Sequence, residues 1–189
     1  MQFHATLYIL PLVVSTVIAA LVAFYVWERR ATVSGTVALA LLALACAVWS
    51  LGYALEIAGA GLQTKILWGQ MQYLGIVAVP LLWVIFTYSY TSQGTRMTRR
   101  TVVLLSIIPA ITLLLAFTTQ YHQLIWQDVH IRWVGTFSAL AVTHGFWFWV
   151  YWIYSYFLVL IGTVYILRSL NRTKGLFRRQ NIILLIAVL

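Results

Sequence analysis

Apolar residues arrive in blocks of about 20, the length at which a helix rising about 1.5 Å per residue crosses a hydrocarbon core. The first block runs from about Leu7 to Trp27 and stops at Glu28-Arg29-Arg30, charges too costly to carry to a bilayer centre. The second, from about Val33 to Ala58, closes on Gly59-Ala60-Gly61, where glycines give the backbone the freedom a helix end uses. A third, about Ile66 to Tyr90, contains Pro80 and is closed by Arg96, Arg99 and Arg100. The fourth, about Thr101 to Thr119, contains Ile108-Pro109 and leads into the longest polar connection, near Gln120 to Thr143. The fifth, about Gly145 to Leu167, precedes Arg168, Arg172, Lys174, Arg178 and Arg179. A sixth opens at about Gln180 and has nine residues left, Asn181 to Leu189. The expectation is a fragment or incomplete reading frame that stops inside this sixth helix, with a seventh helix and an effector beyond it.

These blocks predict an all-α fold: a polytopic transmembrane helical bundle of five complete helices plus the start of a sixth, forming one domain over residues 1–189. Composition agrees, since 63% of residues are hydrophobic and 8% charged, against roughly 25% charged in a soluble domain. The net charge of +9 would suggest nucleic acid in a soluble protein, but the basic residues sit between the apolar blocks. Counted along the connections, Lys and Arg number two, one, three, one and five, so alternate loops are basic and are expected in the cytoplasm beside anionic lipid. The N-terminus is therefore expected outside, in a multi-pass protein of the cell membrane whose partner is the bilayer and not nucleic acid. The single cysteine, Cys46, excludes an internal disulfide. The first block follows no Lys or Arg and runs into Phe24, Tyr25 and Trp27, where a signal peptide would place its small-residue cleavage site. It is expected to be a retained helix.

Glu56 is the only acidic residue inside an apolar block, and ionisable groups at such a position face a cavity or a partner. Trp49, Tyr53 and Glu56 follow i, i+4, i+7 spacing, which stacks them on one helix face expected to turn inward. The plain alternative is that Glu56 meets headgroups or pairs with Lys65. Trp68, Gln72, Gly75 and Val79 share a face of the third helix. Gln72 there needs a hydrogen-bond partner and Gly75 would admit a neighbour's backbone, so helix packing and ligand contact both remain open. In the aromatic run from His144 to Tyr156, residues His144, Trp147, Tyr151, Tyr154 and Leu158 keep helical spacing. Interfacial preference explains its first turns. The deeper Tyr151, Tyr154 and Ser155 suit a pocket where a flat or amphipathic molecule stacks on aromatic faces. His4, His122, His130 and His144 fall on the predicted outer side and match no zinc spacing, so they are expected to be solvated loop residues.

No phosphate-binding loop, metalloprotease helix, nucleophile elbow or carboxylate pair is present in the sequence, and neither catalysis nor a cofactor is expected of these residues. A retinal pigment would carry its Schiff-base lysine on a seventh helix, which this sequence does not reach.

The run Trp49-Ser-Leu-Gly-Tyr-Ala-Leu-Glu56, followed by Trp68, Gln72-Tyr-Leu-Gly75 and Pro80, resembles the N-terminal seven-helix sensor region of bacterial membrane histidine kinases. Phe86-Thr-Tyr-Ser-Tyr-Thr91, Ile108-Pro109, His122, Gly145-Phe-Trp147, Tyr154-Ser-Tyr156 and Arg178-Arg-Gln180 continue that pattern in order across nearly the whole chain. The resemblance implies a sensing input domain that precedes a PAS domain, a kinase or a diguanylate cyclase, in a protein that works as a dimer through its cytoplasmic part. It also implies a sensing pocket around Trp49, Tyr53, Glu56, Gln72 and Tyr154, to which the aromatic stripe adds Trp147 and Tyr151. The ligand is a small or membrane-borne molecule that these residues do not identify. The competing expectation is a small transporter or channel subunit, which would also place polar groups inside a bundle.

Overall fold

The structure, a computed structural model, describes residues 8–30, 35–91, 97–134 and 137–170. Five of its helices are long and apolar enough to span a membrane: α1 (Ile9–Glu28), α2 (Thr36–Ala58), α3 (Leu62–Thr91), α4 (Arg99–Phe117) and α6 (Phe146–Leu170). They match the five predicted blocks, and the chain is a polytopic helical bundle. The start of the sixth helix, His4, Arg96 and the basic run from Arg172 to Arg179 lie outside the described residues.

Small side chains set how closely α2 meets its neighbours. Ala38, Ala40, Ala45, Ala47, Gly52 and Ala54 are the buried positions of α2 along with Glu56 and Ile57. Without a water-driven hydrophobic effect between spans, such small residues gain stability by letting backbones approach. Gly75 of α3 takes this furthest. A Cβ there would lie 2.4 Å from the Ala45 carbonyl oxygen and 2.8 Å from Trp49 Cβ, so the expectation that Gly75 admits a neighbour's backbone is met. Gly162 of α6 does the same against the Trp83 indole, where an added Cβ would stand 2.4 Å from Nε1. That indole donates to the Val159 carbonyl at 3.3 Å, tying α3 to α6.

The polar connection before α6 departs from the expected loop. After the short α5 (Thr119–His122), it forms an antiparallel hairpin of β1 (Trp126–Val134) and β2 (Phe137–His144). Val129 faces Val142 and Ile131 faces Leu140 across the ladder. Val129, Leu140 and Val142 pack on the core of Tyr73, Val77, Ala116, Ile125, Trp126 and Tyr151, while Asp128, His130 and Arg132 on alternate positions are exposed. This period of two is what a half-buried strand requires. Trp126 anchors the hairpin: its indole meets Tyr73 edge-on at 5.9 Å, and an added Cβ on Gly69 would sit 2.9 Å from its ring.

The hairpin feeds straight into α6. Gly145 N donates to Ile125 O at 2.8 Å and Trp147 N to Leu124 O at 3.0 Å, which satisfies backbone donors that a helix start leaves free. A side chain on Gly145 would place Cβ 2.3 Å from Leu124 O, so only glycine fits this junction. The turn between α2 and α3 was expected to use glycine's conformational freedom. Gly59 instead has φ −63°, open to any residue, and the left-handed glycine among the described residues is Gly35 at the start of α2.

Candidate functional site

At the hairpin end of the bundle, three elements converge on two charged side chains. Glu56 lies in the last turn of α2 and is 6% exposed; Lys65 lies in the first turn of α3 and is 0% exposed. One oxygen of the Glu56 carboxylate accepts from the Gln72 side-chain amide of α3. The other accepts from the Leu140 backbone N–H of β2 at 3.3 Å. The carboxylate thus spans α2, α3 and the hairpin. Gln72 in turn packs against Gly52, where an added Cβ would be 2.7 Å from its Cγ.

Lys65 does not take the carboxylate as a partner. Its ammonium donates to the carbonyls of Glu56 at 2.8 Å, Ile57 at 3.3 Å and Ser138 at 2.6 Å. The first two are carbonyls at the end of α2, where the helix dipole is negative and a cation is favoured. The third lies on β2, so one side chain both caps α2 and holds the hairpin. The alternative reading of Glu56, headgroup contact or an ion pair with Lys65, is thereby replaced by a buried hydrogen-bonded junction. The physical reason is that the end of α2 and β2 present unpaired carbonyls and amides that must be satisfied away from water. One donor stays unsatisfied: the buried Trp68 Nε1 has no hydrogen-bond partner among the described residues. By helical spacing it lies on the α3 face of Lys65 and Gln72.

The other predicted site residues separate from this junction. Trp49 and Tyr53 are 43% and 41% exposed, so the α2 face expected to turn inward carries only Glu56 into the interior. Trp147, Tyr151 and Tyr154 do turn inward, but their polar atoms are used in joining helices. Trp147 Nε1 donates to Thr112 Oγ1 of α4 at 2.9 Å. Tyr151 OH donates to Ile76 O of α3 at 3.0 Å, and Tyr154 OH to Leu105 O of α4 at 2.6 Å. Each of these two carbonyls lies four residues before a proline, Pro80 and Pro109, that has no N–H to offer it. The hydroxyls assigned to a pocket are therefore filling gaps in the backbone.

The histidines have local partners. His122 accepts from Leu124 N at 3.0 Å through Nδ1 and pairs with Thr118 Oγ1 at 3.0 Å through Nε2. His130 lies 3.2 Å from the Asp128 carboxylate, both exposed. The His144 ring stacks on Phe148 with centroids 3.8 Å apart, and burial pushes its imidazole below the usual range. Among the described residues no three metal-binding side chains converge.

A family model described as the N-terminal 7TM region of histidine kinase matches residues 11–189. The chain belongs to that family. No curated protein and no solved structure shows significant similarity to it. As a histidine kinase 7TM region, the chain is a sensor input domain and a multi-pass membrane protein. For this 7TM input domain the junction of Glu56, Gln72, Lys65 and β2 is the polar cluster that links hairpin and helices. The sequence pointed to Glu56 and Gln72, and to Lys65 only as an ion-pair partner of Glu56, while Ser138, Leu140 and Trp126 were passed over. The alternation of Val129 and Ile131 with Asp128, His130 and Arg132 was a signal that could have revealed the hairpin.

Proposed function

We propose that this input domain senses a small or membrane-borne ligand at the hairpin end, and that its N-terminus and hairpin lie outside the cell membrane. The observation that carries the reading is the buried Glu56 carboxylate, bonded at once to α3 and to β2. A buried ionisable group is costly to keep in a membrane protein unless it does something. The orphaned Trp68 Nε1 supports a ligand that carries a hydrogen-bond acceptor, because a buried donor without a partner costs about 1–3 kcal/mol. Binding that favours one hairpin position over another would shift the population of bundle arrangements by its differential affinity.

The output is a cytoplasmic histidine kinase acting as a dimer, with a diguanylate cyclase as the variant output. Transporters use open broken-helix backbone for coupling ions, and at the two helix-interior prolines among the described residues, Pro80 and Pro109, the freed carbonyls are already bonded, which disfavours the transporter alternative. Autophosphorylation from labelled ATP, measured on the kinase in proteoliposomes, tests the reading. Glu56→Gln should change the basal rate at least about threefold, the effect of roughly 0.6 kcal/mol on a two-state balance, with membrane insertion intact. An unchanged rate at normal insertion would remove Glu56 from the signalling path.

A further inference from the structure

A proline inside a helix opens a gap of fixed position, because its nitrogen carries no hydrogen for the carbonyl four residues earlier. Pro80 frees Ile76 O in α3, and Pro109 frees Leu105 O in α4. In hydrocarbon no water repairs such gaps, so a neighbouring helix has to. Here one helix repairs both. Tyr151 and Tyr154 stand three residues apart on α6, on the same side by helical spacing, yet their acceptors belong to different helices.

The contact pairs show how α6 lies. Tyr151 meets Ile76, Val159 meets Trp83 and Tyr165 meets Tyr88, so α6 runs alongside α3 in the same direction. Trp147 meets Thr112 and Tyr154 meets Leu105, so it runs opposite to α4. The two freed carbonyls therefore meet α6 within a single turn of each other, at Tyr151 and Tyr154.

We propose that α6 is a two-point catch: with α6 in place, Tyr151 and Tyr154 close both proline gaps, and when α6 shifts, both open together and α3 and α4 become free to bend at their prolines. The top of α6 continues from β2 through Gly145, and β2 is the strand held by Glu56 and Lys65. A displaced hairpin thus moves the element that carries both hydroxyls. Packed interfaces convert small shifts of this kind into discrete states. The catch stands independently of any ligand, and its tests fail separately from the sensing proposal.

The first test is a pair of double-mutant cycles in the full chain, reading the unfolding equilibrium in SDS–lipid mixtures. Tyr151→Phe should shift that equilibrium about three- to tenfold toward the unfolded state, the range for one interhelical hydrogen bond in a bilayer. In a Pro80→Ala background the new backbone N–H takes over Ile76 O, and the same change should cost less than about twofold. Tyr154→Phe with Pro109→Ala should repeat the pattern. Equal penalties with and without the prolines would show that the hydroxyls do not serve the proline gaps.

The second test asks whether the two gaps are coupled. In a Cys46→Ser background, cysteine-linked spin labels at Gln63 and Thr91 report on bending of α3, and labels at Arg100 and Phe117 report on α4. Tyr151→Phe should broaden both distance distributions in lipid nanodiscs. Broadening confined to α3 would make the two tyrosines independent patches and overturn the catch.

Discussion

Lys65 shows how much depends on where a long cationic side chain can reach. From sequence it was one charge in a short connection; in the fold its ammonium is enclosed and holds three carbonyls from two elements. Lysine suits this place because it has three donors on a compact head, and each carbonyl takes one. Lys65→Met keeps the length and apolar stem while leaving Glu56 O, Ile57 O and Ser138 O without that donor. A loss of about 2–4 kcal/mol is expected, since each buried acceptor left unmade costs about 1–3 kcal/mol and relaxation recovers part. SDS-induced unfolding of the variant checks this, and a change below 0.5 kcal/mol, about the noise of a surface substitution, would show that the ammonium is not holding the junction. Glu56 depends on its surroundings in the same way: the carboxylate is tolerated because α3 and β2 both donate to it.

Among the elements, α2 and α3 owe their pairing to missing side chains. The 30-residue α3 is about 45 Å long at 1.5 Å per residue, longer than a hydrocarbon core, and its contact with α2 is set by where backbones can touch. Gly75→Ala would force the Ala45 carbonyl and the Trp49 backbone away from a rigid contact. A destabilisation of about 1–3 kcal/mol is expected, as for overpacking a tight interior. Gly61→Ala, at a position with open space around it, should stay within about 0.5 kcal/mol of the parent. Comparing the two by thermal unfolding in lipid separates a packing role from a general intolerance of side chains on glycine. The hairpin is a different kind of element, stable because one face, with its own Trp126, packs on Tyr73 and Tyr151; a two-stranded ribbon alone in water is marginal at best.

For the whole molecule, the alternation of basic connections makes a claim about sidedness that labelling can decide. Trp133, 72% exposed on β1, and Arg100, exposed in the first turn of α4, lie at opposite ends of the bundle. In a Cys46→Ser background, a cysteine replacing Trp133 should react with an impermeant maleimide added to whole cells. One replacing Arg100 should react only after the membrane is opened. The reverse pattern would invert the proposed orientation. Such an arrangement places the junction of Glu56 and Lys65 toward the outside and the ends of α3 and α6 toward the cytoplasm, with α6 the direct covalent continuation of the hairpin.

The five complete spans, their approximate limits and the class of the fold followed from the sequence alone, because transfer of a charge into hydrocarbon is so unfavourable that local composition decides which residues cross. The pairing of Gln72 with a partner and the close approach at Gly75 were also legible, since a buried amide must bond and a glycine in a packed span admits backbone. What only the tertiary structure decided was which groups meet. Glu56 was visible as a candidate, but its bonds to Gln72 and Leu140 join residues 16 and 84 positions away. Tyr151 and Tyr154 read as pocket hydroxyls until the acceptors created by Pro80 and Pro109 came within reach. Hydrophobic periodicity reports one helix's own surface; the hydrogen bonds that complete a membrane bundle depend on which distant backbone groups lack partners, and that is known only once the helices are side by side.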